Sequence, residues 1–131
     1  MVNFLSKYKS IFYLCNFILI TLYLFPGSLL GCFLYNDCGK QPQITKDFIV
    51  SANHFYAFII LSIVGHLTFK KLSQFKFINY YLIFLSIILE ILQKFTPERS
   101  FEFPDLFGNF AGVIVTISIF YFLKKNEKFK N

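Results

Sequence analysis

Residues 90–112 read EILQKFTPERSFEFPDLFGNFAG and lead from one apolar segment, through a short charged link, into the next. Glu90 and Gln93 lie three residues apart, so on a helix they share one face. After the link, Asp105, Asn109 and Gly112 are spaced by four and three residues, which also places them on one face of a helix. A carboxylate within an apolar segment is costly and usually faces other protein or a watery cavity. The stretch therefore predicts two membrane helices that hold a polar cluster.

The composition also indicates a membrane protein. Of the 131 residues, 56% are hydrophobic and 15% are charged, and the mean hydropathy is +0.57. A soluble domain of this size cannot bury so much apolar surface. The net charge of +6 does not indicate nucleic-acid binding, because the basic residues lie between apolar runs and form no single patch.

Four runs with one charged residue at most divide the chain. A helix needs about 20 apolar residues to cross the hydrocarbon core, within a range of roughly 17–25. The runs therefore predict an all-α fold, an integral membrane bundle of four transmembrane helices in a single domain over residues 1–131. The spans are predicted at about 10–34, 48–69, 77–93 and 106–123.

The basic residues predict the orientation. With the N-terminus inside, 9 of the 13 basic residues lie on the cytoplasmic side. The other four face outward: Lys40, Lys46, Lys94 and Arg99. Because short cytoplasmic loops carry an excess of Lys and Arg, both termini are expected in the cytoplasm. The predicted location is the plasma or inner membrane.

The first apolar segment has two interpretations. It ends in Leu29-Leu30-Gly31-Cys32, which resembles a lipoprotein signal whose cysteine is lipid-modified after cleavage. The residue before Gly31 is not small, so an uncleaved first span is preferred. Cys32 and Cys38 fall in the outward loop, where a disulfide is allowed. We predict two free thiols there and keep the disulfide as the alternative.

The predicted topology places the polar residues at one depth. Asp47, Ser51 and His54 are spaced by four and three, hence on one face of the second helix. This helix starts from the outer side, the third helix ends there with Glu90, and the fourth starts there with Asp105. We therefore expect one polar site at the extracytoplasmic face, facing the outside or the periplasm.

The polar residues of the last three predicted helices form a series that resembles a known family. From Glu90 to Gly112 it reads E-x-x-Q-x-x-x-P-x-R and then D-x-x-x-N-x-x-G, with His54 at the head of the preceding helix. This series is similar to that of the VanZ-like family of small bacterial multi-pass membrane proteins. The resemblance is strongest over residues 47–123.

The chain departs from the family pattern at two positions. The family often has an acidic residue four before the histidine, where this chain has Val50. A second glycine commonly follows Gly112 by four, where Thr116 stands here. The family's namesake is associated with resistance to the glycopeptide teicoplanin, so the resemblance implies a role at the cell envelope.

Residue types suggest provisional roles in this site. Glu90, Arg99, Asp105 and His54 are candidate catalytic residues, because they supply acids, an acid–base imidazole and a planar cation that fits phosphate. Arg99 is also the expected ion-pair partner of Glu90 if this acid is ionised; unpaired and desolvated, Glu90 would instead stay protonated. The candidate substrate-binding residues are Gln93, Asn109 and Asp47, and Gly112 is assigned to helix packing.

The predicted function is to bind or modify a lipid-linked or phosphate-bearing envelope molecule. The alternative is a non-catalytic assembly or lipid-binding protein whose polar cluster is structural. Catalysis is left open because no nucleophile motif is found. Membrane lipids are the expected partners, and the oligomeric state is open. No cofactor is predicted, although a divalent cation on His54, Glu90 and Asp105 is a lesser alternative.

Overall fold

The structure is a computed structural model that describes Lys7 and residues 9–130, without the side chains of residues 128–130. Two basic residues used for the orientation, Lys128 and Lys130, therefore lie outside the described side chains. Within this part the fold is all-α and has no strand. Its helices are α1 (Lys9–Leu24), α2 (Leu29–Tyr35), α3 (Ala52–Thr68), α4 (Leu72–Gln93) and α5 (Phe103–Lys130).

The helices are those of a membrane protein. Two are long and apolar enough to cross a bilayer, α4 and the Phe103–Glu127 part of α5. A third span is present if the bent pair α1 and α2 counts as one. The apolar helix α3 has 17 residues, which is about the shortest length that crosses the hydrocarbon core. Four spans and the inward orientation of both termini stay predictions.

The first predicted span is broken. The span predicted at about 10–34 is divided into two helices, because the axis bends by 86° between α1 and α2. Pro26 has no backbone N–H and cannot continue the helical bond to the carbonyl of Leu22. Gly27 then takes a positive φ of 78°, which a glycine adopts at little cost. Ser28 starts α2 as its N-cap, accepting a backbone hydrogen bond of 2.9 Å.

The segment predicted to face outward contains a disulfide between Cys32 and Cys38. The prediction of two free thiols is therefore wrong. The chain turns back after α2 because Asn36 adopts the left-handed conformation, with a φ of 51°. The returning segment is fixed where the Ser28 N–H donates to the Cys38 carbonyl at 2.7 Å. The Cys32 sulfur is bonded, so it is not available for a lipid.

Helix α3 begins later than expected. The predicted span starts at residue 48, but the helix starts at Ala52. Asp47 and Ser51 therefore precede the helix, and the prediction that they share a helical face with His54 is wrong. The Asp47 carboxylate instead accepts the Ala52 N–H at 3.0 Å, which satisfies one of the free donors at the helix start.

Helices α3 and α5 pack closely through small residues. A Cβ added at Gly112 would lie 2.6 Å from the Phe55 carbonyl oxygen, and one at Gly108 would lie 2.8 Å from that of Ser51. Only glycine allows this backbone approach. The packing role predicted for Gly112 agrees with these distances. The core beneath is apolar and includes Phe58, Leu61, Ile78, Leu82, Leu89 and Val113.

Candidate functional site

Four helix ends meet at one end of the bundle, which we call the site end. The C-termini of α1 and α4 lie there beside the N-termini of α3 and α5. The Ser51 N–H donates to the Pro104 carbonyl at 3.1 Å and ties the start of α3 to the start of α5. Polar side chains near these four ends are therefore brought together by the topology.

Asn109 lies at the centre of the site end and is fully buried. Its Oδ1 accepts a hydrogen bond from the Tyr23 hydroxyl at 2.6 Å and lies 2.9 Å from Nδ1 of His54. Its Nδ2 donates to the Ser86 carbonyl at 3.1 Å. These partners belong to α1, α3 and α4, so one side chain of α5 joins the other three long helices.

The Asn109 amide also sets the tautomer of His54. The Ser86 carbonyl only accepts, so the hydrogen bonds assign the NH2 end of the amide to it. The oxygen then faces His54, whose Nδ1 must donate a proton. In the neutral ring this leaves the lone pair on Nε2. Nε2 lies 3.5 Å from Oδ2 of Asp105, and both side chains are partly exposed.

Glu90 is the most enclosed acid of the site, with no exposed side-chain surface. Its Oε1 accepts the Glu102 backbone N–H at 3.0 Å, close to the start of α5. Its Oε2 has no hydrogen-bond partner among the described residues and lies 3.8 Å from Nδ1 of His54. An unsatisfied buried oxygen is costly, so this atom calls for a partner.

The expected ion pair between Glu90 and Arg99 is wrong, since no such pair lies within 4 Å in the described part of the chain. Arg99 does fold back, but onto the broken end of α1. Its Nη2 donates to the Leu22 carbonyl at 3.0 Å and its Nε to that of Phe25 at 3.3 Å. The Leu22 carbonyl is free because Pro26 has no N–H to offer it.

Gln93 completes the same cap. Its Nε2 donates to the Tyr23 carbonyl at 3.0 Å, and the side chain is buried. Two predicted site residues therefore satisfy the carbonyl groups that α1 leaves open at its C-terminus. Burial lowers the pKa of the Arg99 guanidinium from its ordinary value, but that value is so far above neutral pH that the guanidinium stays charged.

A cleft of about 440 Å³ opens beside these residues, between α1, α2 and α3. His54, Gln93 and Arg99 line it at the site end. The cleft lining does not include four other predicted site residues, Asp47, Glu90, Asp105 and Asn109. The walls toward the middle of the bundle are mainly apolar: Cys15, Ile18, Leu19, Leu22, Leu29, Leu30, Leu34, Ala57, Ile60 and Leu61.

The structure adds two residues that the sequence analysis did not single out. Tyr23 bonds Asn109 and packs edge-on against the His54 ring, with centroids 4.9 Å apart. Asn53 holds the loop that precedes α3, donating to the Pro42 carbonyl at 2.6 Å and accepting the Ile44 N–H at 3.1 Å. Tyr23 lies within one helical turn of Pro26-Gly27, which interrupts the first apolar segment. A polar side chain so close to a helix end could have been predicted to belong to the site.

One group of residues has the composition of a metal site. His54, Glu90 and Asp105 each offer a ligand atom, and these three atoms lie within 4.8 Å of one another. One imidazole and two carboxylates form a donor set that suits divalent transition metals. The chain therefore brings possible ligands together from α3, α4 and α5.

The chain was compared with known proteins. A family model described as VanZ/LLP1 matches residues 4–124, so the match includes the first helix as well as the motif over 47–123. Neither the curated proteins nor the solved structures gave a match. Because the family model covers most of the chain, the protein belongs to the VanZ/LLP1 family.

Proposed function

We propose that the protein binds an anionic amphiphile of the cell envelope, a lipid-linked phosphate, in the cleft between α1, α2 and α3. The observation that carries this proposal is the pairing of an apolar cleft with a charged Arg99 at its head. A role in glycopeptide resistance would follow if the amphiphile is a cell-wall precursor.

The shape of the cleft supports a ligand with an apolar chain. Along α3 its lining runs from Asn53 to Leu61, a distance of about 12 Å at 1.5 Å per residue. The polar residues stand at the first turn of α3, and aliphatic side chains follow below. Ligand sites commonly combine apolar walls with a few placed polar groups. A headgroup at Arg99 and a chain against Ile60 match this arrangement.

The charge at the head supports an anion. A guanidinium has five N–H donors, and the described hydrogen bonds to Leu22 and Phe25 use two of them. No carboxylate of the described chain lies within 4 Å of Arg99. The planar fork suits a phosphate group. We infer that the remaining donors face the headgroup.

The sidedness of the site rests on two features. The positive-inside bias favours an outside location for the site end, and the Cys32–Cys38 disulfide in the adjacent loop is typical of an oxidising compartment. The proposed ligand therefore belongs to the outer leaflet of the plasma or inner membrane. This is where lipid-linked envelope precursors are exposed.

A second candidate function is structural. The cap that Gln93 and Arg99 form on α1 favours it, because those two side chains have work in the fold alone. One further observation favours catalysis on the bound headgroup: His54 lines the cleft and carries an Nε2 lone pair beside Asp105. Binding is the step that the enzymatic and the non-enzymatic interpretation share.

Binding can be tested on the purified protein in detergent. Affinities are measured by native mass spectrometry for a polyprenyl phosphate, the matching neutral polyprenol and inorganic phosphate. We expect the polyprenyl phosphate to bind at least 10-fold more tightly than the alcohol, and Arg99→Gln to remove this difference. The control is Lys94→Gln, which neutralises an exposed cation in the same link. Equal affinities of the wild type for the polyprenyl phosphate and the polyprenol would overturn the proposal.

A cellular assay separates binding from a structural role. Teicoplanin susceptibility and membrane accumulation are compared in cells with the wild type, Arg99→Gln and Lys94→Gln. If Arg99→Gln accumulates normally but no longer changes teicoplanin susceptibility as the wild type does, the Arg99 side chain acts on a ligand. If accumulation itself falls, the cap on α1 is its main role.

A further inference from the structure

We propose that His54, Glu90 and Asp105 bind one divalent transition-metal cation at the site end. The three ligand atoms come from three helices and lie within 4.8 Å of one another. The inference does not rest on the ligand of the cleft, because Glu90 and Asp105 do not line the cleft and only His54 is shared with it.

The unsatisfied oxygen of Glu90 is the first support. Oε1 is used by the Glu102 N–H, whereas Oε2 has no hydrogen-bond partner in the described chain although the side chain is fully buried. Leaving a carboxylate oxygen bare in such a place is expensive. A cation beside Oε2 would satisfy it and would balance the charge of the second acid, Asp105.

The orientation of His54 is the second support. A metal-bound histidine usually donates its other ring N–H to a neighbouring oxygen, which fixes the tautomer. Here Nδ1 points at Oδ1 of Asn109 at 2.9 Å, so Nε2 is the free ligand atom. Asn109 is itself held by Ser86 and Tyr23. The ring is thus already set for a ligand on the side of Asp105.

The separations fit a small cation. Bonds of roughly 2.1 Å place neighbouring ligand atoms roughly 3.0–3.4 Å apart. Nε2 of His54 lies 3.5 Å from Oδ2 of Asp105, close to that value. Oε2 of Glu90 lies 3.8 Å from Nδ1 of His54, and the three ligand atoms lie within 4.8 Å of one another, so the side chains must move closer together to share one ion. Asp105 is 20% exposed, which gives the ion a route in from water.

The test is metal binding by the tag-free full chain in detergent, first stripped with a chelator. Zn²⁺ is measured by equilibrium dialysis, and bound Mn²⁺ is examined by pulsed electron paramagnetic resonance for a coupled nitrogen. We expect about one Zn²⁺ per chain and a nitrogen signal that His54→Gln removes. Binding well below one equivalent in the wild type would overturn the proposal.

Variants locate the ligands. Glu90→Gln and Asp105→Asn should each weaken Zn²⁺ binding at least 10-fold, and Asn109→Ala, which frees the His54 ring, should weaken it about 10–100-fold. Glu102→Gln is the matched control, because this nearby exposed residue is hydrogen-bonded to Glu90 through its backbone N–H, so the substitution removes a negative charge without removing a proposed ligand. Unchanged affinity in either folded acid variant overturns the site. If Glu90→Gln does not fold, the more exposed Asp105 decides the outcome.

Discussion

Replacing Asn109 with alanine should destabilise the bundle more than any single polar truncation elsewhere in it. The side chain makes contacts of 2.6, 2.9 and 3.1 Å with Tyr23, His54 and Ser86. Interhelical hydrogen bonds in a membrane protein average about 0.6 kcal/mol each, so losing all three costs about 2 kcal/mol. The loss is purely interhelical, because none of the three partners lies on α5.

The matched control for this prediction is Asn16→Ala. Asn16 makes one comparable bond, accepting the Tyr81 hydroxyl at 2.7 Å, so its loss should cost about 0.6 kcal/mol. Both variants are unfolded at equilibrium by adding sodium dodecyl sulfate to mixed micelles, with far-UV circular dichroism as the readout. Equal free energies of unfolding for the two variants would refute the central position of Asn109.

Three further predictions follow from the packing, the loop and the orientation. Gly112→Leu should reduce membrane accumulation of the protein several-fold, because the added side chain meets the backbone of α3. The control Gly39→Ala, in the exposed loop, should leave accumulation unchanged. Detergent size-exclusion profiles report the amounts of both variants. The disulfide predicts that maleimide labels only Cys15 in the denatured, unreduced chain and three thiols after reduction; three before reduction would contradict it. In a cysteine-free background, a membrane-impermeant maleimide should label Lys94→Cys in intact cells and Lys125→Cys only after permeabilisation; the reverse pattern would invert the topology.

The position of the polar residues at one end of the bundle was predictable from sequence, and their pairing was not. Counting along uncharged runs places His54, Glu90 and Asn109 near the same end, and the structure brings them together. Charge matching suggested that Arg99 would pair with Glu90. Arg99 instead bonds the Leu22 carbonyl on α1, which Pro26 leaves free. This partner was not predictable from charge, because every residue has a backbone carbonyl and its availability depends on the fold.

Helix bounds were less predictable than helix existence. The uncharged run starts after Lys76, yet α4 begins at Leu72, since a lysine near a helix end can extend its charge toward water. The opposite error occurs in α3, where an uncharged run begins before the helix. Here Asp47 caps the helix from outside it, and the run of apolar residues contains no sign of that turn.

The central claim is that an anionic amphiphile occupies the cleft beside Arg99. Photo-crosslinking tests it most directly, with a polyprenyl phosphate that carries a diazirine on its chain. The account predicts labels on the aliphatic wall of α1 and α3, such as Ile18 and Ile60, which excess unlabelled polyprenyl phosphate competes away. Labels that resist competition and fall on exposed outer positions, such as Phe84 and Phe122, would contradict it.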